Sequence, residues 1–305
     1  MAKAKGAAVK AVKIKSSKQD RIFDIVNYTL LTIALLCVLY PLYFIVVASI
    51  SDPTMVNNGH TMLIPRGLNL NGYRKILSYD MIWTGYRNTI VYTVLGTLLN
   101  IMVTMMFAYP MSRKNFSGKK FLTFYILITM YFSGGLVPTF LVVKNMGLYD
   151  NWLIMIIMGM VNVYNVIVAR TFLQSNIPEE LYEAASIDGC SPAKFFFKMV
   201  LPLSKAIIAV LVLYYGIAHW NGYMNALIYL SKEKQMPLQI VLRNILIQSD
   251  VAANLLDAED AMRKQQETEL MKYSLIIVST LPVMVLYPFL QKYFVQGVMI
   301  GSVKG

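Results

Sequence analysis

Apolar residues gather along this chain in six long runs, parted by polar stretches of very unequal length. The runs fall at 28–50, 89–109, 121–140, 152–172, 206–230 and 273–294. A helix rising 1.5 Å per residue needs about 20 apolar residues to cross the hydrocarbon of a bilayer, and each run meets or nearly meets that length. The pattern predicts an all-α, polytopic membrane protein with six transmembrane helices. Several runs carry helix breakers: Pro41, the Gly134-Gly135 pair followed by Pro138, and Pro282 with Pro288. Freed backbone groups are tolerated at membrane depth only where packed protein or a watery cavity takes them over, so the breaks mark either a pathway or ordinary packing kinks.

A composition of 57% hydrophobic and 14% charged residues, with a mean hydropathy of +0.53, excludes an ordinary soluble domain. The basic leader, residues 1–23, precedes an apolar run too long and bulky for a signal peptide, with no small-residue cleavage site after it. That run reads as the first spanning helix of a 24–294 membrane domain. Charge then orients the chain. Residues 1–27, the turn SRKNFSGKK, the 170–205 region and the tail 291–305 hold 17 Lys and Arg against 6 acids, while the outer loops hold 11 against 10. This positive-inside bias puts both termini in the cytoplasm, and it accounts for the net charge of +12 without a nucleic-acid partner. The two cysteines, Cys37 and Cys190, form no disulfide framework and read as small apolar fillers.

The inner loop 174–205 is the most structured of the polar stretches. Ser175 or Asn176 can cap a helix whose first turn holds Pro178, Glu179 and Glu180, suited to the positive helix end. The helix should run to about Ile187 and stop at Gly189, and Ser191-Pro192 should start a second helix, AKFFFKMV, that Pro202 ends. Leu181, Ala184, Ala185 and Asp188 recur at helical spacing and give a low surface for close approach. Phe195, Phe196 and Phe197 are too many rings for one short helix to hide. The pair looks built to dock, whereas an interfacial helix would explain the phenylalanines alone.

Glu183-Ala184-Ala185, then Gly189, then nine residues and Met199-Val200-Leu201-Pro202, resembles the EAA loop of ATP-binding-cassette importer permeases, with methionine in place of the usual isoleucine. The likeness extends over nearly the whole chain. YPLYFIVVASIS, WNGYMNALIYL and YFVQGVMIGSVKG look like the carbohydrate-uptake, maltose-type branch, in its LplC/YtcP-like group. The resemblance implies the type I importer permease fold and a coupling helix seated in a cleft of a cytoplasmic ATPase. Glu183 would face the ATPase, the alanine pair would allow close seating, and Gly189 would make the bend, with Asp188, Ser191, Pro192, Phe195, Leu201 and Pro202 completing the element. It also implies a second, homologous permease chain, two ATPase subunits that bind ATP and Mg, and an extracellular solute-binding lipoprotein docking on the outer loop 231–272. Residues 299–305 would reach the ATPase pair or form a frayed end.

No G-x-x-x-x-G-K-[ST] occurs, so the chain is not expected to cradle ATP. His60 and His219 lack ligand-spaced neighbours, no metal or catalytic set is expected, and acids are nearly absent from the runs, which disfavours a proton pump. His219 either packs or lines a path. Oligosaccharide would pass along a route shared with the second permease, and Tyr131, Asn162, Tyr164, Asn165, Trp220, Asn221 and Tyr223 are the candidate aromatic faces and amides. The ordinary roles of such residues are interfacial belts and interhelical bonds. The competing readings are a non-sugar cargo in the same family and an ATP-independent channel or carrier. The remaining outer stretches are the loop 51–88 and a short turn around 144–151.

Overall fold

The computed structural model describes residues 17–253, 268, 271–288 and 291, and these divide between two compact units, Met1–Leu68 and Asn69–Gly305. The tail 295–305 and most of the acidic stretch after Ala253 lie outside the described residues.

In the first unit, α1 (Lys18–Ser49) opens with a capping box. The Asp20 N–H donates to Ser17 Oγ at 3.1 Å, and the Ser17 N–H donates to Asp20 Oδ2 at 2.9 Å. Its apolar side chains are exposed for most of the length, as expected of a helix covered by lipid or by another chain. Pro41 is carried inside it. The loop beyond holds α2 (Pro53–Asn57), capped by Asp52, and is closed by the Asp52 N–H donating to Arg66 O at 3.0 Å.

The second unit is organised around α4 (Asp80–Ser112), preceded by α3 (Asn71–Leu77). Next come α5 (Lys119–Tyr131), α6 (Leu136–Asn145), α7 (Ile154–Ile157), α8 (Val163–Asn176) and α9 (Glu179–Ile187). They are followed by α10 (Pro192–Phe195), α11 (Leu201–Leu203), α12 (Lys205–Trp220), α13 (Tyr223–Tyr229), α14 (Leu238–Ala253) and α15 (Met271–Pro288). No strand occurs among the described residues. α4 touches α12, α8, α14 and α7, so it is the axis of the unit.

The face of α4 toward α12 is small and polar. Asn100 Nδ2 lies 3.0 Å from His219 Nε2, Thr104 Oγ1 lies 2.6 Å from Tyr215 Oη, and the His219 ring occupies the space where a Cβ on Gly96 would sit, 2.5 Å away. Lipid tails are as apolar as leucine, so close packing and such bonds, rather than burial from water, hold spanning helices together.

Six crossings are not confirmed by the helices described. Among the described residues α1, α4 and α15 are long and apolar enough to span, and two bent pairs bring the total to as many as five. The 121–140 run is broken at 132–135, where α5 and α6 meet at 115°. The 152–172 run is not one helix: α7 is a single turn, residues 158–162 are unwound, and α8 continues to Asn176. The 206–230 run divides at Asn221-Gly222 into α12 and α13. The 89–109 run extends outward to Asp80, because Asn88, Thr89 and Tyr92 anchor the outer segment after α13 rather than meeting lipid.

That segment is held by its backbone. Asn88 Nδ2 donates to Lys234 O at 2.8 Å and Met236 O at 3.0 Å, Tyr92 Oη donates to Gln235 O at 2.8 Å, and the Leu238 N–H donates to Thr89 Oγ1 at 2.8 Å. Asp150 adds a clamp: its Oδ1 accepts from Ser231 N at 3.0 Å and Lys232 N at 3.2 Å, and its Oδ2 pairs with Lys232 Nζ at 3.1 Å. The Ser231 backbone N–H first, then Lys232, pull the Asp150 carboxyl down to about 2. A carboxyl held low stabilises above its ordinary value and loses that contribution as pH falls through the lowered one, so the clamp should be constant from about pH 5 upward and fail only near pH 2. Asp150→Ala should speed amide exchange at Ser231 and Lys232 at neutral pH; unchanged exchange there would show that the carboxyl does not hold this segment.

Candidate coupling loop and substrate path

The inner loop begins where α8 ends. Asn176 does not cap the following helix; its Nδ2 donates back to Phe172 O at 2.9 Å. Pro178 takes the cap position instead, with φ −64° and ψ 152° and no side-chain bond, so proline's fixed φ sets the entry and Glu179 and Glu180 supply the first turn. α9 ends as the sequence requires. The Cys190 N–H reaches Ala185 O at 2.9 Å and the Gly189 N–H reaches Ser186 O at 3.1 Å, with Gly189 at φ +71°, a left-handed stop that glycine adopts without strain. Ser191 then caps α10, its Oγ accepting from Lys194 N at 3.3 Å ahead of Pro192.

The element has two faces. Leu181, Tyr182, Ala185 and Cys190 pack inward on a core with Phe195, Phe196, Met105, Ala108, Val166 and Leu173. Glu183, Ala184, Ile187, Asp188 and Gly189 face outward, and Ile187 is 88% exposed. The alanine pair is therefore split, Ala184 outside and Ala185 half-buried. The phenylalanines also differ from expectation: Phe195 and Phe196 are buried by Tyr109 and Tyr182, and only Phe197 is left exposed. Phe195 thus shapes the loop from within and is not part of its outer surface.

Arg113, the residue after α4, joins the two faces' support. Its Nη1 lies 3.3 Å from Glu179 Oε2, and its guanidinium carbon lies 4.9 Å from the Tyr109 ring centre, 5.5 Å from Tyr182 and 5.7 Å from Phe195. Sequence reasoning missed it, counting it only within the basic turn. The available signal was its placement four residues after Tyr109, one helical turn away.

Pro202 does not end the second helix. Proline has no N–H and crowds the carbonyl four residues back, and here the chain answers with a π turn, Phe196–Val200, in which the Leu201 N–H reaches Phe196 O. Leu201 is half-buried and Pro202 exposed. The helix stops one residue later, and at the buried Ser204 the chain bends by 80° into α12.

The path candidates fall into separate places. Tyr131 is exposed beside the α5–α6 break. Asn162, at the unwound 158–162 segment, caps α8 by accepting from Asn165 N at 3.1 Å; Asn165 is buried, and Tyr164 is 54% exposed with its ring 6.4 Å from Tyr214. Trp220 is buried, its Nε1 donating to Ser279 O at 3.0 Å, which gives it a packing role between α12 and α15. Asn221 and Tyr223 are exposed at the α12–α13 break. His219 is half-buried and packs against Gly96 and Asn100.

The sequence pattern of the family described as "Binding-protein-dependent transport system inner membrane component" matches residues 82–300. The Bacillus subtilis (strain 168) "Polygalacturonan/rhamnogalacturonan transport system permease protein YtcP" is 39% identical over 94% of this chain and all of that protein. "Protein LplC" of the same organism is 35% identical over 95% of this chain and 97% of its own length. One chain of the "Crystal structure of a bacterial ABC transporter involved in the import of the acidic polysaccharide alginate" superposes with a TM-score of 0.83 at 34% identity, over 92% of this chain and 100% of that one. With these relatives, a fold without strands among the described residues and the two-faced loop before α12, the chain is a multi-pass cytoplasmic-membrane permease, not an enzyme, and belongs to the binding-protein-dependent transport system inner membrane component family, among the LplC/YtcP-like ABC importer permeases.

Proposed function

We propose that this chain is one of two different permease subunits of an ATP-driven importer of oligosaccharides or polysaccharide fragments. The observation that carries the reading is the loop's construction: an inner face fixed to α4 and the core, and an outer face of Glu183, Ala184, Ile187, Asp188 and Gly189 left to another protein. Two ATPase subunits bind ATP and Mg and close on nucleotide. The loop moves as a rigid element, and the two permeases rock between inward- and outward-open states. Both termini and the loop lie in the cytoplasm, consistent with the basic bias of the sequence. A solute-binding lipoprotein delivers substrate to the outer segment, and the exposed Tyr131, Asn162, Tyr164, Asn221 and Tyr223 face the shared route. The names of the relatives make uronate-containing oligosaccharides the first cargo to try.

The reading is tested by reconstituting both permeases, the ATPases and the binding protein in proteoliposomes with labelled galacturonate oligomers and a panel of neutral oligosaccharides. Accumulation of one of these that requires interior-side ATP supports it. Accumulation without ATP, or ATP-dependent uptake only of a non-sugar solute, would replace it.

A further inference from the structure

We infer that Arg113 is the positioning residue that makes the coupling loop and α4 move as one body. The inference rests on the coupling reading above. α4 is the axis of the second unit, and Arg113 stands at its inner end, touching both short helices of the loop: α9 through Glu179 and Tyr182, and α10 through Phe195. The fourth partner, Tyr109, belongs to α4 itself. The ion pair is largely removed from solvent, with side-chain exposures of 12% for Arg113 and 18% for Glu179. Screening is weak there, and breaking one partner leaves the other charge poorly compensated.

The type of cation matters. Nε and Nη2 of Arg113 are buried without a hydrogen-bond partner, so the group is held by one ion pair and by the faces of three rings. A planar guanidinium can stack among those rings while its fork meets a carboxylate; a lysine ammonium is a point charge and can replace only the ion pair. The rings also pack on one another, Tyr182 on Phe195 at 5.3 Å and Tyr109 on Phe196 at 5.4 Å. Packed elements of this kind shift between discrete arrangements rather than deforming smoothly. Displacement of the outer face would therefore reach α4 through Arg113, and from α4 it would pass to α12 and the α4-anchored outer segment.

The test follows hydrogen–deuterium exchange of the purified permease–ATPase complex with and without ATP plus vanadate, which needs no knowledge of the cargo. The parental complex should show nucleotide-dependent change in peptides from 179–203 and from α4. In Arg113→Gln the loop peptides should keep their change while that in α4 falls at least about twofold; Glu179→Gln should act in the same direction more mildly, and Arg113→Lys should be intermediate. Glu183→Lys should lose both changes, because it acts at the outer face. Parental α4 change in both Arg113→Gln and Glu179→Gln would overturn the inference while leaving the coupling reading intact. So would loss of the ATPase from both, since that would make the residue a determinant of docking. Retention of both changes in Glu183→Lys would instead count against the coupling reading, and a change in parental loop peptides with none in parental α4 would overturn the inference.

Discussion

Glu183→Lys is expected to insert and fold normally, yet to reduce uptake by at least about 100-fold and to abolish stimulation of the ATPase. The carboxylate lies on the outward face of α9, away from Leu181, Tyr182 and Ala185, so reversing its charge leaves the packed face untouched. The cost is expected at the proposed contact with the ATPase, where placing like charges together costs several kcal/mol and a difference of about 2.7 kcal/mol already means a hundredfold. Ile187→Asp at the same face should act alike, whereas Thr171→Ser on the exposed side of α8 should leave uptake within about twofold, as surface changes away from packed features do. Uptake by right-side-out vesicles, with co-purification of the ATPase as the companion measurement, reads these effects. Parental uptake by Glu183→Lys would remove that residue from the coupling role.

The second large effect is structural. Gly96→Ala places a methyl 2.5 Å from the His219 ring, a rigid group that Asn100 holds at 3.0 Å. Neither helix can yield without disturbing the axis of the unit, and overpacking of this kind costs about 1–3 kcal/mol. Loss of the Asn100–His219 bond adds about 0.6 kcal/mol, the average for interhelical hydrogen bonds in membranes. The thermal unfolding midpoint in detergent should fall by about 3–7 °C, taking roughly 2 °C per kcal/mol for a chain of this size. Adding His219→Ala to Gly96→Ala should recover part of the loss, because the clash disappears with the ring. A double variant no more stable than Gly96→Ala would mean that the close approach is not what limits packing there.

Local chemistry was legible wherever it was self-contained. The stop at Gly189 and the start at Ser191-Pro192 follow from backbone rules acting within a few residues, and both stand in the structure as the sequence requires. The EAA pattern likewise marked the loop. What was not legible depends on partners distant in sequence. Phe195 and Phe196 read as rings for docking, too many for their own helix to hide, because nothing near them shows that Tyr109 and Tyr182 will cover them. Arg113 was absorbed into a charge count, since its meaning comes from a carboxylate 66 residues away. The 152–172 run concealed the unwound 158–162 segment because Met-Gly-Met-Val is nearly as apolar as a helix core, and hydropathy measures solvent preference, not backbone path. Pro202 was read by the ordinary rule for helix ends, and the π turn before it supplied the exception.

The outer face of 183–189 is expected to seat on a nucleotide-hydrolysing partner, and Ile187, at 88% exposure the most uncovered large apolar side chain described, is the place to probe that contact. Benzoylphenylalanine incorporated there in the native membrane and activated by light should link this chain to an ATPase subunit, with a yield that changes when ATP and vanadate are added. Linkage only to lipid or to the binding protein, or no ATPase adduct in an otherwise transport-active complex, would contradict the account.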